Sequence, residues 1–360
     1  MAIRLYPVFA FAVGLLVTAC AHQSEPSASD NSAVEIAAVV ASDRLRDNRG
    51  RFREIFCAVL EARGEALPDY RPCQEAIRDT GPEPGATGVE VNLGQSEAKP
   101  LVLIVPGLGW DCFEDWLDLE YSAVNHVAQF GYELRAIPVG GLSSSWHNAE
   151  KINDYVNKLS PEDLDRPLVL VGYSKGTPDI LEALVRFPQL ADQVTAVLSL
   201  AGSVKGSPLA DQATQGQANL LTGFPGSECD KGDEGAVNSL RTDVRQAWLA
   251  ENTLPTAVRY YSVVTYPHQD RVSWALRNSY LALGGVFAGN DTQVLIYDQI
   301  IPRSDLVAFI NADHWAIAVP VKRAHPVLSR LLVDRNDYPR EALLEALLRY
   351  LDEDLAIQQY

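Results

Sequence analysis

Between residues 100 and 310 the chain alternates short apolar runs with longer stretches in which apolar positions recur at helical spacing. The runs are Leu101–Val105, Tyr132–Val139, Pro167–Tyr173, Val194–Leu200, Val258–Thr265 and Leu306–Ile310. Apart from Tyr132–Val139, which carries Glu133 and Arg135, they are apolar almost throughout, not at every second position, which marks strands covered on both faces. Stretches such as Glu150–Leu159 and Thr177–Arg186 predict helices between them. Strand and helix in alternation predict a mostly parallel central sheet flanked by helices, an α/β fold. Upstream, residues 46–80 predict two helices around a Pro-containing turn, with Ile55, Val59 and Leu60 on one side. A Gly/Pro-rich joint at 81–88 closes this N-terminal helical segment (46–88), and residues 89–360 form the main domain. Residues 205–257 break the alternation with a polar, Gly-containing insert that carries a helix over Asp243–Glu251, a candidate lid. A last amphipathic helix is expected over Pro339–Asp352, and there is no internal repeat.

The N-terminus has a different pattern. One Arg precedes an apolar run from Val8 to Val17 that reaches small residues, as in a secretory signal, and the run is too short to span a bilayer. Val17-Thr18-Ala19-Cys20 resembles the bacterial lipoprotein box. That resemblance implies a signal peptide over 1–19, removed before Cys20, and a diacylglycerol on the Cys20 sulfur. A plain secretory signal with an incidental Cys is the alternative. Residues 20–45, rich in Ser, Ala, Asp and Asn, suit a flexible tether to the membrane surface. Ala21 stands where that family's inner-membrane retention signal is Asp, which points to the outer membrane, facing the periplasm.

Composition narrows the functions open to the chain. Lys and Arg total 30 against 47 Asp and Glu, a formal charge of −17, and no basic patch offsets it. Phosphate backbones repel such a chain, so nucleic acid is not an expected partner. With Cys20 lipidated, Cys57, Cys73, Cys112 and Cys229 remain, an even number in an oxidising compartment. Four cysteines allow three pairings. Cys57–Cys73 is favoured, because each lies in or beside a short helical segment joined by Leu67-Pro68-Asp69, and this leaves Cys112–Cys229. No Cys-x-x-Cys pair and no His at ligand spacing accompanies them, so no metal is expected.

The chemistry concentrates at Gly172-Tyr173-Ser174-Lys175-Gly176, where the third main strand runs into a helix. G-x-S-x-G in a strand-turn-helix setting is the pattern of a nucleophile elbow. The turn is sharp enough that a side chain at either Gly would collide with backbone. It thrusts the hydroxyl above the sheet, where the positive end of the helix favours developing negative charge. A serine hydroxyl needs a base within hydrogen-bond reach. Of the six histidines, His22 lies in the tether, His126 inside a predicted helix, and His325 beside Lys322 and Arg323 at the surface. His314 follows the last strand, where a loop can carry it over the elbow. His147 and His268 also follow strands and stay open as alternatives.

Here the chain resembles the serine-hydrolase branch of the α/β-hydrolases, particularly bacterial lipases and esterases. Asn290-Asp291-Thr292-Gln293-Val294, then Ile301-Pro302, then Asp313-His314 follow that family's late-sheet pattern. The resemblance implies Asp291 as the acid that orients His314. Thr292 departs from the family's usual Gly. Asp298 is the runner-up, since Asp298-Gln-Ile-Ile-Pro302 is close to another family pattern, and Asp270 comes third. Pro106-Gly107-Leu108-Gly109 resembles the family's oxyanion loop with Pro in place of His, which implies backbone donors at Leu108 and Lys175. The Ser-rich loop before Asn148-Ala149 and the segment Gly206-Ser207-Pro208-Leu209-Ala210-Asp211 also have family counterparts, with Asn148 expected to cap a helix. The similarity spans residues 98–325.

Together these features imply a lipid-anchored serine hydrolase that cleaves small-molecule or lipid carboxylic esters through an acyl-enzyme, without metal or organic cofactor. Leu220, Leu221 and Phe224 of the insert are candidates to line an acyl pocket. The same triad would serve acyl transfer to another acceptor or polyester depolymerisation. A catalytically silent envelope scaffold is the alternative of a different class.

Overall fold

The computed structural model describes residues 44–112, 122–213 and 232–357. Seven strands form one sheet: β1 Arg46–Asp47, β2 Leu101–Val105, β3 Glu133–Ala136, β4 Leu168–Tyr173, β5 Val194–Leu200, β6 Arg259–Thr265 and β7 Asp305–Ile310. Their order is β1-β7-β6-β5-β4-β2-β3 and every pairing is parallel. This is the α/β-hydrolase fold that the alternation and the resemblance predicted. All six expected strands are present. β3 is shorter than its apolar run because Pro138 has no N–H to offer; Ile137 still donates to the Ile104 carbonyl at 2.9 Å.

Pleating divides each apolar run between two cores. Leu101, Leu103, Val105, Leu168 and Leu170 point to one face. There they meet Ile152 and Val156 of α3 (Ser145–Val156) and Ile180, Leu181 and Leu184 of α4 (Gly176–Arg186). Val102, Val169 and Val171 point to the other face. They share a core with Phe52, Ile55 and Phe56 of α1 (Arg49–Arg63), Val127 of α2 (Ser122–Ala128), and Leu343, Leu347 and Leu351 of α6 (Arg340–Ile357). Burial on both faces is why the runs do not alternate.

The N-terminal segment is fastened to this sheet. β1 adds to the free edge of β7, α1 packs on α6, and a Cys57–Cys73 disulfide ties α1 to the four-residue helix Cys73–Ala76. Cys112 is also disulfide-bonded; Cys229 and Cys20 lie outside the described residues, as does the signal segment. Of the insert, α5 (Thr242–Glu251) lays Trp248 and Leu249 against the core under α3 and α4. Leu220, Leu221 and Phe224 lie outside the described residues. One local expectation is corrected. Ser144, not Asn148, caps α3, its hydroxyl accepting from the His147 N–H at 3.1 Å, while Asn148 is buried within the first turn. Among the described residues no helix is long and apolar enough to cross a membrane.

Candidate active site

Ser174 sits between the last residue of β4 and the first of α4, with φ at +53°. A non-glycine residue seldom adopts this left-handed backbone, and here it turns the chain within one residue. The flanking glycines leave no room for side chains. A Cβ at Gly172 would stand 2.6 Å from the Thr177 backbone, and one at Gly176 would stand 2.0 Å from the Val105 carbonyl oxygen. The Ser174 N–H donates to Leu200 O at 3.1 Å, and its carbonyl accepts from Ser203 N–H at 3.1 Å.

Because all strands are parallel, the loops after β4, β6 and β7 open on one edge of the sheet, and residues far apart in sequence meet there. His314, on the loop after β7, places Nε2 2.9 Å from Ser174 Oγ. Its Nδ1 lies 2.7 Å from Asp291 Oδ2. An ionised carboxylate can only accept, so in the neutral ring Nδ1 carries the proton and Nε2 is left to accept from the serine hydroxyl. Asp291 Oδ1 accepts from the Gln293 and Val294 N–H groups at 2.9 and 2.8 Å, and Oδ2 also accepts from Thr265 Oγ1 at 2.5 Å. The His314 N–H in turn donates to Asp291 O at 2.9 Å, which clamps the two loops together. All three side chains are buried.

Thr292, the departure from the family's Gly, has φ at +89°. This backbone, unfavourable for a β-branched residue, turns the next two N–H groups back onto Asp291. Asp298, the other candidate acid, is buried on the turn Ile296–Gln299, makes no hydrogen bond to His314, and has its carboxyl pushed up to about 7 by burial. Asp313 shapes its loop, accepting from Ser273 N–H at 2.9 Å and Ala316 N–H at 2.8 Å. Asp270 is exposed on the turn Gln269–Arg271. His126 is buried against Glu345, and neither His147 nor His268 bonds to Ser174.

The loop after β2 lies directly over the nucleophile: a Cβ at Gly107 would be 3.0 Å from Ser174 Cβ. Leu108 follows it, 38% exposed. Among the described residues no protein acceptor takes the N–H of Leu108 or Lys175. The Lys175 side chain is buried in an ion pair with Asp179.

Three residues that sequence reading did not single out support the cluster. Thr265, at the end of β6, holds Asp291, and Gln299 grips the Thr265 backbone at both its N–H and its carbonyl. The Tyr173 hydroxyl donates to His314 O at 2.7 Å, its ring against the imidazole. Only the strand-end position of Thr265 and Tyr173 hinted at this. Among the described residues no group of three or more His, Cys, Asp or Glu side chains could hold a metal ion.

No family model and no curated protein matches the chain. Among solved structures, the metagenomic carboxyl esterase MGS0156 superposes with a TM-score of 0.82 at 36% identity, over 89% of this chain and 99% of that one. The mature form of Bacillus licheniformis lipase BlEst2 gives 0.50 at 20% identity, over 68% of this chain and 96% of that one. Staphylococcus hyicus lipase gives 0.56 at 13% identity, over 76% and 100%. These two speak to the fold alone. The first, similar in sequence over nearly the whole of both molecules, shows that this protein belongs to the carboxyl esterase family of α/β-hydrolases.

Proposed function

We propose that this protein hydrolyses carboxylic esters through an acyl-enzyme on Ser174. The observation that carries the reading is the unbroken hydrogen-bond chain from Ser174 Oγ through the His314 ring to Asp291. Ser174 Oγ attacks the ester carbonyl carbon as His314 Nε2 takes its proton, and Asp291 stabilises the imidazolium. The carbonyl oxygen becomes an alkoxide facing the backbone N–H groups of Leu108 and Lys175. Collapse expels the alcohol, which leaves with the proton from Nε2. Water then gives a proton to Nε2 and attacks the acyl carbon; collapse breaks the bond to Ser174 Oγ, which takes that proton back from Nε2, and releases the acid.

A fluorophosphonate probe tests this. Purified protein should be labelled and should turn over p-nitrophenyl esters, while Ser174→Ala should do neither. Equal labelling of the variant, or a folded wild type that is unlabelled and inert, would refute the reading. We also propose that a lipid on Cys20 holds the enzyme at the bacterial cell envelope, on the strength of the lipoprotein-like Val17-Thr18-Ala19-Cys20.

A further inference from the structure

Resting on the ester-hydrolase reading, a continuous polar path joins the two residues whose backbone N–H groups would hold the oxyanion. It begins at Lys175, whose side chain is 1% exposed. Its Nζ lies 2.8 Å from both carboxylate oxygens of Asp179, which is itself buried. Asp179 Oδ2 also accepts from Asn148 Nδ2 at 2.7 Å. Asn148 grips a single residue from both sides: Nδ2 donates to Gly140 O and Oδ1 accepts from Gly140 N–H, each at 3.0 Å. The next residue, Gly141, accepts from Gly109 N–H at 3.1 Å and donates to Asp111 Oδ1 at 3.0 Å. Gly109 follows Leu108. A Cβ at Gly141 would be 2.9 Å from Gly109 N and Cα, so the two loops touch backbone to backbone with no slack.

We propose that Asp179 and Asn148 are positioning residues that set the separation between the Leu108 and Lys175 amide donors. A role in packing alone explains the path poorly. An apolar pair of similar volume would fill the space between α3 and α4 at least as well as a desolvated Lys–Asp pair. What the charged, forked arrangement adds is direction. The i,i+4 ion pair aims Asp179 at Asn148, and the two-sided amide grip fixes the Gly140 peptide in position and rotation. Acyl transfer gains only from donors aimed at where the alkoxide will be, so an error of a fraction of an ångström falls on the transition state and not on substrate binding.

The test uses the whole protein, with wild type and Ser174→Ala as references. Asn148→Ala should lower kcat on a p-nitrophenyl ester about 10- to 100-fold, short of the ~10²–10³ for losing a donor outright, with KM within about twofold. Affinity for a trifluoromethyl ketone, which adds to the serine as a tetrahedral alkoxide, should weaken by the same factor. Should Asn148→Ala fail to fold, the double variant Lys175→Met/Asp179→Leu removes both buried charges at similar volume and should show the same kcat and inhibitor losses. A folded variant that keeps its kcat, or that loses kcat while binding the ketone as tightly as wild type, overturns the proposal. An inert wild type would instead sink the ester-hydrolase reading, a result distinct from an active wild type beside an equally active Asn148→Ala.

Discussion

Asp291 has no spare acceptor capacity: two backbone N–H groups, a threonine hydroxyl and the imidazole fill both oxygens. Replacing it with Asn keeps the shape but offers an amide N–H where His314 needs an acceptor, and so favours the wrong tautomer. Asp291→Asn should therefore lower kcat by about 10⁴ with little change in melting temperature. Asp298→Asn should leave kcat within a small factor of wild type, and its effect should appear in stability. Burial pushes the Asp298 carboxyl up to about 7, so the folded state holds that proton more tightly than the unfolded chain. The associated stability is present at acid pH and is lost as pH rises from about 4 through 7. An Asn cannot ionise. The melting temperature of Asp298→Asn relative to wild type should thus climb between pH 4 and pH 8, and a flat difference would contradict the assignment.

The elements show what a sequence can and cannot disclose. Strands buried on both faces betray themselves as apolar runs, and β2 and β4 to β7 were legible for that reason. β1 was not, because two residues, Arg46 and Asp47, have no periodicity to read. The last helix runs on to Ile357, beyond its expected end at Asp352. Glu353 and Asp354 are held there by Arg51 and Arg259, long-range ion pairs that no local pattern announces. The same divide runs through the site. Ser174 announces itself through the steric demands of its turn, and His314 through its place after the last strand. Asp291 needed the family resemblance, since several acidic residues follow late strands. Thr265 and Asp179 were invisible as functional groups, and Asn148 stood out only through the family resemblance, as a helix cap: nothing local separates them from ordinary buried polar residues. The Cys57–Cys73 pairing was legible from the turn between its helices, and it closes a short loop, with 16 residues of sequence separation. Losing it should cost about 3 kcal/mol by urea denaturation of Cys57→Ser/Cys73→Ser, with kcat of the folded protein unchanged.

At the scale of the whole molecule, a parallel sheet gathers the loops after its strands on one edge and leaves the other edge to structure. The proposed anchor belongs to this scale as well. Expressed in a bacterial host, the protein should fractionate with membranes and release a labelled fatty acid on alkaline treatment. Cys20→Ser should be unlabelled and move to the aqueous phase; equal membrane association of both would dismiss the lipid. The position of β1 has a practical corollary. It pairs Arg46 with Asp305 and Asp47 with Leu306, where β7 begins, whereas Ser174 and His314 follow the ends of their strands, roughly 20 Å away along six residues. A dye, an affinity handle or a solid support coupled ahead of residue 44 would therefore grasp the catalyst from behind and leave its working edge open to solution.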